Sequence, residues 1–169
     1  MKNDGNLVSE FSTSGTYTLL LLVSEEITLT IGKLGKQNFP MGYYAYTGSA
    51  LGKGATSLKH RIARHLRKEK RMFWHIDYLL ANENVSVEAI LAAETNKKME
   101  CTINNHIKGI KGAEVPVNGF GASDCRKNCR SHLLFFPDII ETKDLVNKTV
   151  EVTRKLSNRV FVLDLKEDF

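Results

Sequence analysis

Short apolar runs alternate with polar, glycine-marked breaks along the chain, the pattern of strands and helices in an α/β domain. Thr18 to Val23 is a nearly continuous aliphatic run, opened by Gly15-Thr16-Tyr17 and broken by Ser24-Glu25-Glu26. It predicts a buried strand. Ile27-Thr28-Leu29-Thr30-Ile31 alternates apolar and polar positions and predicts a second strand, hairpin-paired with the first. Gly32, Gly35, Pro40 and Gly42 mark a connection. Tyr43 to Thr47 predicts a third strand, stopped by the glycine-rich segment from Gly48 to Gly54.

Leu58, Ile62 and Leu66 recur every fourth residue and predict a helix from Thr56 or Ser57 toward Arg71. Met72 to Leu80 is mixed and partly core. Val85 to Ala93 predicts a strand. Asn96 to Ile107 predicts a helix with Met99, Ile103 and either His106 or Ile107 inward. Lys111 to Ser131 is long for a plain loop and points to a functional or metal-stapled element. His132 to Phe136 predicts a strand ended by Pro137, and Thr149 to Val152 and Arg159 to Leu165 predict weaker ones. The expected fold class is α/β of the α+β type: a small, mainly antiparallel sheet flanked by helices, with an extra hairpin strand and C-terminal strands. The expected organisation is a flexible terminus over residues 1–12, a main domain over 13–143, and a small extension over 144–169 packed on it.

Composition adds little to this picture: 169 residues, 42% hydrophobic, suffice for one core. No apolar run reaches membrane-spanning length, so no membrane partner is expected. Lys2, Asp4 and Glu10 make the opening unlike a signal peptide, so the expected location is cytoplasmic. Charge distribution changes more. The net charge is only +5, but Lys59, Arg61, Arg64, Arg67, Lys68, Lys70 and Arg71 face a single acid, Glu69, within one short segment. Such a patch attracts polyanions, although a solvated helix face has the same composition.

Cys101, Cys125 and Cys129 are odd in number, which argues against a disulfide framework. Cys125, Cys129 and His132 invite a metal reading that Cys101 could complete, but Cys-x3-Cys-x2-His is unlike the common structural zinc spacings. Structural zinc is therefore not expected. His75 and Asp77 stand two apart and would share a face on a strand. With Cys125, Cys129 and His132 they make a secondary group of candidate site residues.

An ordered series of blocks carries a resemblance. Gly15-Thr16-Tyr17 and Tyr46-Thr47-Gly48 resemble the two halves of the GIY-YIG nuclease signature. Gly42 to Ala50, Arg61-Ile62-Ala63-Arg64-His65, Trp74 to Leu80, Glu100-Cys101, Gly119 to Cys125 and Ser131-His132-Leu133 are similar to the DUF123 branch of that superfamily. The resemblance implies a metal-dependent endonuclease of low sequence specificity, with Mg²⁺ or Mn²⁺ as cofactor and nucleic acid, DNA foremost, as partner. It implies Tyr17, Tyr46, Arg61, His65 and Glu100 as catalytic residues, Glu100 being the metal ligand. Lys59, Arg64, Arg67, Lys68 and Arg71 would then contact nucleic acid.

Two departures stand out: the longer gap between Tyr17 and Tyr46, and the lack of a clear counterpart for the family's trailing asparagine, for which Asn118 is the candidate. They keep a noncatalytic nucleic-acid-binding protein on the same fold as the alternative. The residue types themselves suit phosphodiester hydrolysis. A carboxylate can hold a hard cation, an arginine fork matches a phosphate, and a phenol needs nearby positive charge to act at neutral pH. The sequence does not fix the oligomeric state.

Overall fold

The structure, a computed structural model, describes residues 14–166. The expected flexible terminus, 1–12, lies outside the described residues. A five-stranded antiparallel sheet in the order β6-β4-β1-β5-β7 forms the centre. Its strands are β1 (Gly15–Val23), β4 (Gly42–Ala50), β5 (Val85–Glu94), β6 (Leu133–Phe136) and β7 (Val160–Asp164). Among the described residues four α-helices flank it: α1 (Leu58–Leu66), α2 (His75–Leu80), α3 (Glu100–Lys108) and α4 (Thr142–Arg154). The expected α+β architecture is thus what the chain forms.

The aliphatic run of β1 is central because it can bury both faces. Leu19, Leu21 and Val23 meet Leu58 and Ile62 of α1 and Ile76 and Leu79 of α2. Leu20 turns the other way, toward Ile103 and Ile107 of α3 and Leu145 and Val150 of α4. Each such leucine removes enough apolar surface from water to contribute about 2 kcal/mol. β1 pairs along its whole length with β4 and, through a bulge at Leu20/Leu21, with β5.

Three elements differ from the sequence expectation. The strand β2 (Ile27–Ile31) does not pair with β1. It pairs with β3 (Gly35–Phe39), inside the segment expected to be a plain connection, and makes a separate two-stranded sheet. Ile27, Ile31 and Phe39 bury one face of that hairpin on the core, which places it over the sheet rather than at its edge. Thr149–Val152 lies inside α4, not in a strand. His75 and Asp77 lie on the helix α2, not on a strand. Boundaries also move: β4 continues through Gly48 to Ala50, α3 begins at Glu100 rather than Asn96, and α1 ends at Leu66, so Arg67, Lys68 and Arg71 follow the helix rather than belong to it.

Candidate active cleft and metal centre

β1 and β4 place Tyr17 and Tyr46 on the same sheet face, with Tyr17 directly across from Gly48. A Cβ on Gly48 would stand 2.5 Å from the Tyr17 hydroxyl, so glycine is what leaves the phenol its place. Ser57 caps α1, accepting from the His60 N–H, and that helix carries Arg61 to the phenols. Glu100 opens α3. Tyr17, Tyr46, Arg61 and Glu100 line one cleft of about 320 Å³ together with Trp74 and His75. His65 is not on the cleft surface. It stands behind Tyr17, with Nε2 2.7 Å from the phenol oxygen, and is 2% exposed. A larger depression of about 650 Å³, between α4 and β7, holds no tyrosine, histidine or cysteine.

Burial pushes the Tyr17 hydroxyl well above the usual phenol range, the neighbouring Tyr46 and Glu100 add to this, and Arg61 opposes it. Tyr46 is raised by burial and by the Glu100 charge. Burial lowers His65 to about 3, so its ring is neutral near pH 7. Its Nδ1 is buried with no partner among the described residues, which leaves Tyr17 as the ring's one hydrogen-bond partner there. Arg61 donates from Nη1 to the Ser49 carbonyl at 3.0 Å and lies over the Trp74 ring at 4.7 Å. The fork is thereby aimed while it lines the cleft. Glu100 is ion-paired to Lys98 at 3.3 Å.

The cations of the basic segment divide into two groups. Arg64 grips the fully buried Asp77 with both nitrogens at 2.8 Å and lies over Trp74 at 4.3 Å. Asp77 also accepts from the Phe73 and Trp74 N–H groups. Arg64 and Asp77 therefore anchor α1 to α2. Lys70 reaches back to the carbonyls of Arg64, His65 and Arg67 at 3.2, 2.7 and 2.8 Å, satisfying the C-terminal end of α1. Lys59, Arg67, Lys68 and Arg71 are exposed. Asn118, the candidate for the trailing asparagine, is exposed and accepts from Arg130.

A second cluster adjoins the cleft. Cys101 on α3, Cys125 and Cys129 on the long 111–132 connection, and His132 before β6 bring their ligand atoms within 4.8 Å of one another. The four form a largely buried Cys3His set able to coordinate a metal ion, and this overturns the expectation that structural zinc is absent. Local spacing misled because the fourth ligand comes from a distant helix. The thiols are free, and Cys101 and Cys125 stand 3.5 Å apart, far longer than a disulfide bond. Burial pushes the Cys101 thiol up to about 12; a coordinated cation reverses that, since it binds thiolate.

Sequence reasoning passed over Phe73 and Asp124. Both line the cleft, and Phe73 is 75% exposed. An aromatic beside a basic run was the available signal for Phe73, and adjacency to Cys125 was the one for Asp124.

Among the described residues no helix is long and apolar enough to cross a membrane. The family model described as "Domain of unknown function DUF123" matches residues 16–155. No curated protein and no solved structure matches the chain.

Proposed function

Because the chain belongs to the DUF123 family, whose description assigns no activity, we propose from its own cleft that it binds nucleic acid and hydrolyses phosphodiester bonds. The observation that carries this is the convergence of Tyr17, Tyr46, Arg61 and Glu100 on one cleft, with His65 hydrogen-bonded behind Tyr17. The order of the same residues along the chain resembles the GIY-YIG signature, which points to the same chemistry.

In this reading Arg61 holds a phosphate oxygen, its orientation set by Ser49 and Trp74. Tyr17 orients the attacking water, and its own proton leans on His65 Nε2. Glu100 is the oxygen donor suited to a hard divalent cation, which when bound acidifies a water and stabilises the leaving oxygen. That charge also opposes the burial that keeps both phenols protonated. Lys59, Arg67, Lys68 and Arg71 position the backbone without reading sequence, and Phe73 offers a ring face to an unpaired base.

A noncatalytic binding role has one specific observation in its favour: both phenols are held above their usual range and His65 is a weak base. A cleavage panel of duplex, single-strand, flap, four-way-junction and RNA substrates, with and without a divalent cation, separates the two. Cation-dependent cutting that falls by at least about a hundredfold in Glu100→Ala establishes the nuclease. Salt-sensitive binding with no cutting by either protein establishes the binding role instead.

A further inference from the structure

We infer that the Cys101, Cys125, Cys129 and His132 cluster is a tetrahedral zinc site whose role is to build one wall of the cleft.

Two of the ligand distances match a tetrahedral site of zinc size. Bonds of about 2.3 Å to sulfur and 2.05 Å to nitrogen in a tetrahedron place sulfurs about 3.8 Å apart and sulfur about 3.6 Å from nitrogen. Cys101 Sγ lies 3.5 Å from Cys125 Sγ and 3.6 Å from His132 Nε2. Three thiolates and an imidazole are a soft set that suits zinc and not a hard cation. Asn128 adopts φ 56°, a left-handed conformation between Cys125 and Cys129, and turns the chain so that both thiols face one point. The outer contacts are also in place. The His132 N–H donates to the Phe120 carbonyl at 2.8 Å, and its ring Nε2 faces the Cys101 thiol. Asn104 of α3 donates to the Ser131 carbonyl at 2.8 Å, tying the helix to the chain beside His132.

Three covalent or hydrogen-bonded links lead from this cluster to the cleft. Glu100 precedes Cys101, Asp124 precedes Cys125, and both carboxylates line the cleft. Gly121, next to the Phe120 carbonyl that accepts from the His132 N–H, donates its own N–H to His75 Nδ1 at 2.9 Å. Without a central ion, the partly buried Cys125 and Cys129 add nothing to the Asn104 and backbone hydrogen bonds that hold that wall. With it, α3 and the 111–132 connection are pinned at one point, and Glu100, Asp124 and His75 take fixed positions. The consequence for the cleft rests on the proposed function; the zinc site itself does not.

The test begins with metal content in protein purified without added metal, measured by native and elemental mass spectrometry. One zinc per chain is expected. Iron, no metal, or a Cys101–Cys125 disulfide in the native mass would overturn the inference. Amide hydrogen exchange then compares wild type with Cys129→Ala and with the ligand-preserving Cys129→His. Cys129→Ala should lose zinc and exchange at least about tenfold faster at Gly121 and over the first turn of α3, with β1 and β4 unchanged. Cys129→His should retain zinc and keep the protection. Zinc loss with no change at Gly121 would sink the positioning role. These measurements use no substrate, so a failure to cut nucleic acid leaves them standing, and their failure leaves the cleavage panel to be judged alone.

Discussion

The Tyr17–His65 pair shows how a single burial sets both chemistry and stability. Its imidazole is neutral in the fold but protonates freely in the unfolded chain near pH 6.5. The folded value is the lower one, about 3, so between those pH values the unfolded state binds the extra proton. Stability must therefore rise with pH across that window and fall on acidification. One proton gives a slope of roughly 1.4 kcal/mol per pH unit. Urea unfolding from pH 6.5 down to 4 should show this slope, and His65→Gln should flatten it; an unchanged slope would mean His65 is not the buried neutral group. The residues that share the cleft, Tyr17, Tyr46, Arg61 and Glu100, and His65 behind it were legible in sequence as types in order, because each carries its own chemistry. The division of the arginines was not: Arg61 and Arg64 are alike in sequence, and only the buried Asp77 beneath one of them tells the aimed fork from the anchored one.

Between elements, the β1–β4 register is what delivers two tyrosines to one cleft. Gly48→Ala tests it. The added methyl would collide with the Tyr17 phenol, whose Cζ lies 2.7 Å away, while the flanking pairs Thr18–Thr47 and Thr16–Ser49 need not change. A folded variant that has lost Tyr17's position is expected, with the tyrosine–His65 contact broken in its NMR spectrum and melting lowered only by several degrees. Retention of that contact would show the phenol has room to spare. The strands of the sheet were readable because apolar runs and alternation dominate them. α4 was misread because Thr149, Val150 and Val152 favour strands. The contrary signal was the four-residue spacing of Leu145, Thr149 and Thr153, whose hydroxyls bond back to the preceding turn at 2.7 Å. β3 carries glycine, lysine, glutamine and asparagine with one buried anchor, Phe39, so nothing local announced it. All four members of the Cys3His cluster were named in sequence, but zinc was discounted for a related reason: spacing along the chain says nothing of ligands gathered by tertiary packing from as far as 31 positions apart.

For the whole molecule, a modest net charge becomes directional once Arg64 and Lys70 are removed from the account. The remaining exposed cations of the basic segment, Lys59, Arg67, Lys68 and Arg71, should carry the electrostatic part of nucleic-acid binding. Replacing all four by alanine should lower the slope of log affinity against log salt by about 3 to 4 on duplex, with metal content unchanged. A slope that stays the same would place the backbone contacts on another face. Across these scales the fold class was legible because burial leaves periodic traces, whereas the second sheet and the metal cluster depend on who packs against whom. The chain's one tryptophan adds a practical consequence. Trp74 lies in the cleft wall beneath two guanidinium groups and 5.9 Å from the His65 ring. Its ultraviolet emission comes from that single place, so a phosphate that draws Arg61 off the indole changes the colour or brightness of the light. The protein is its own optical titrant, and occupancy of the cleft can be followed with no label attached.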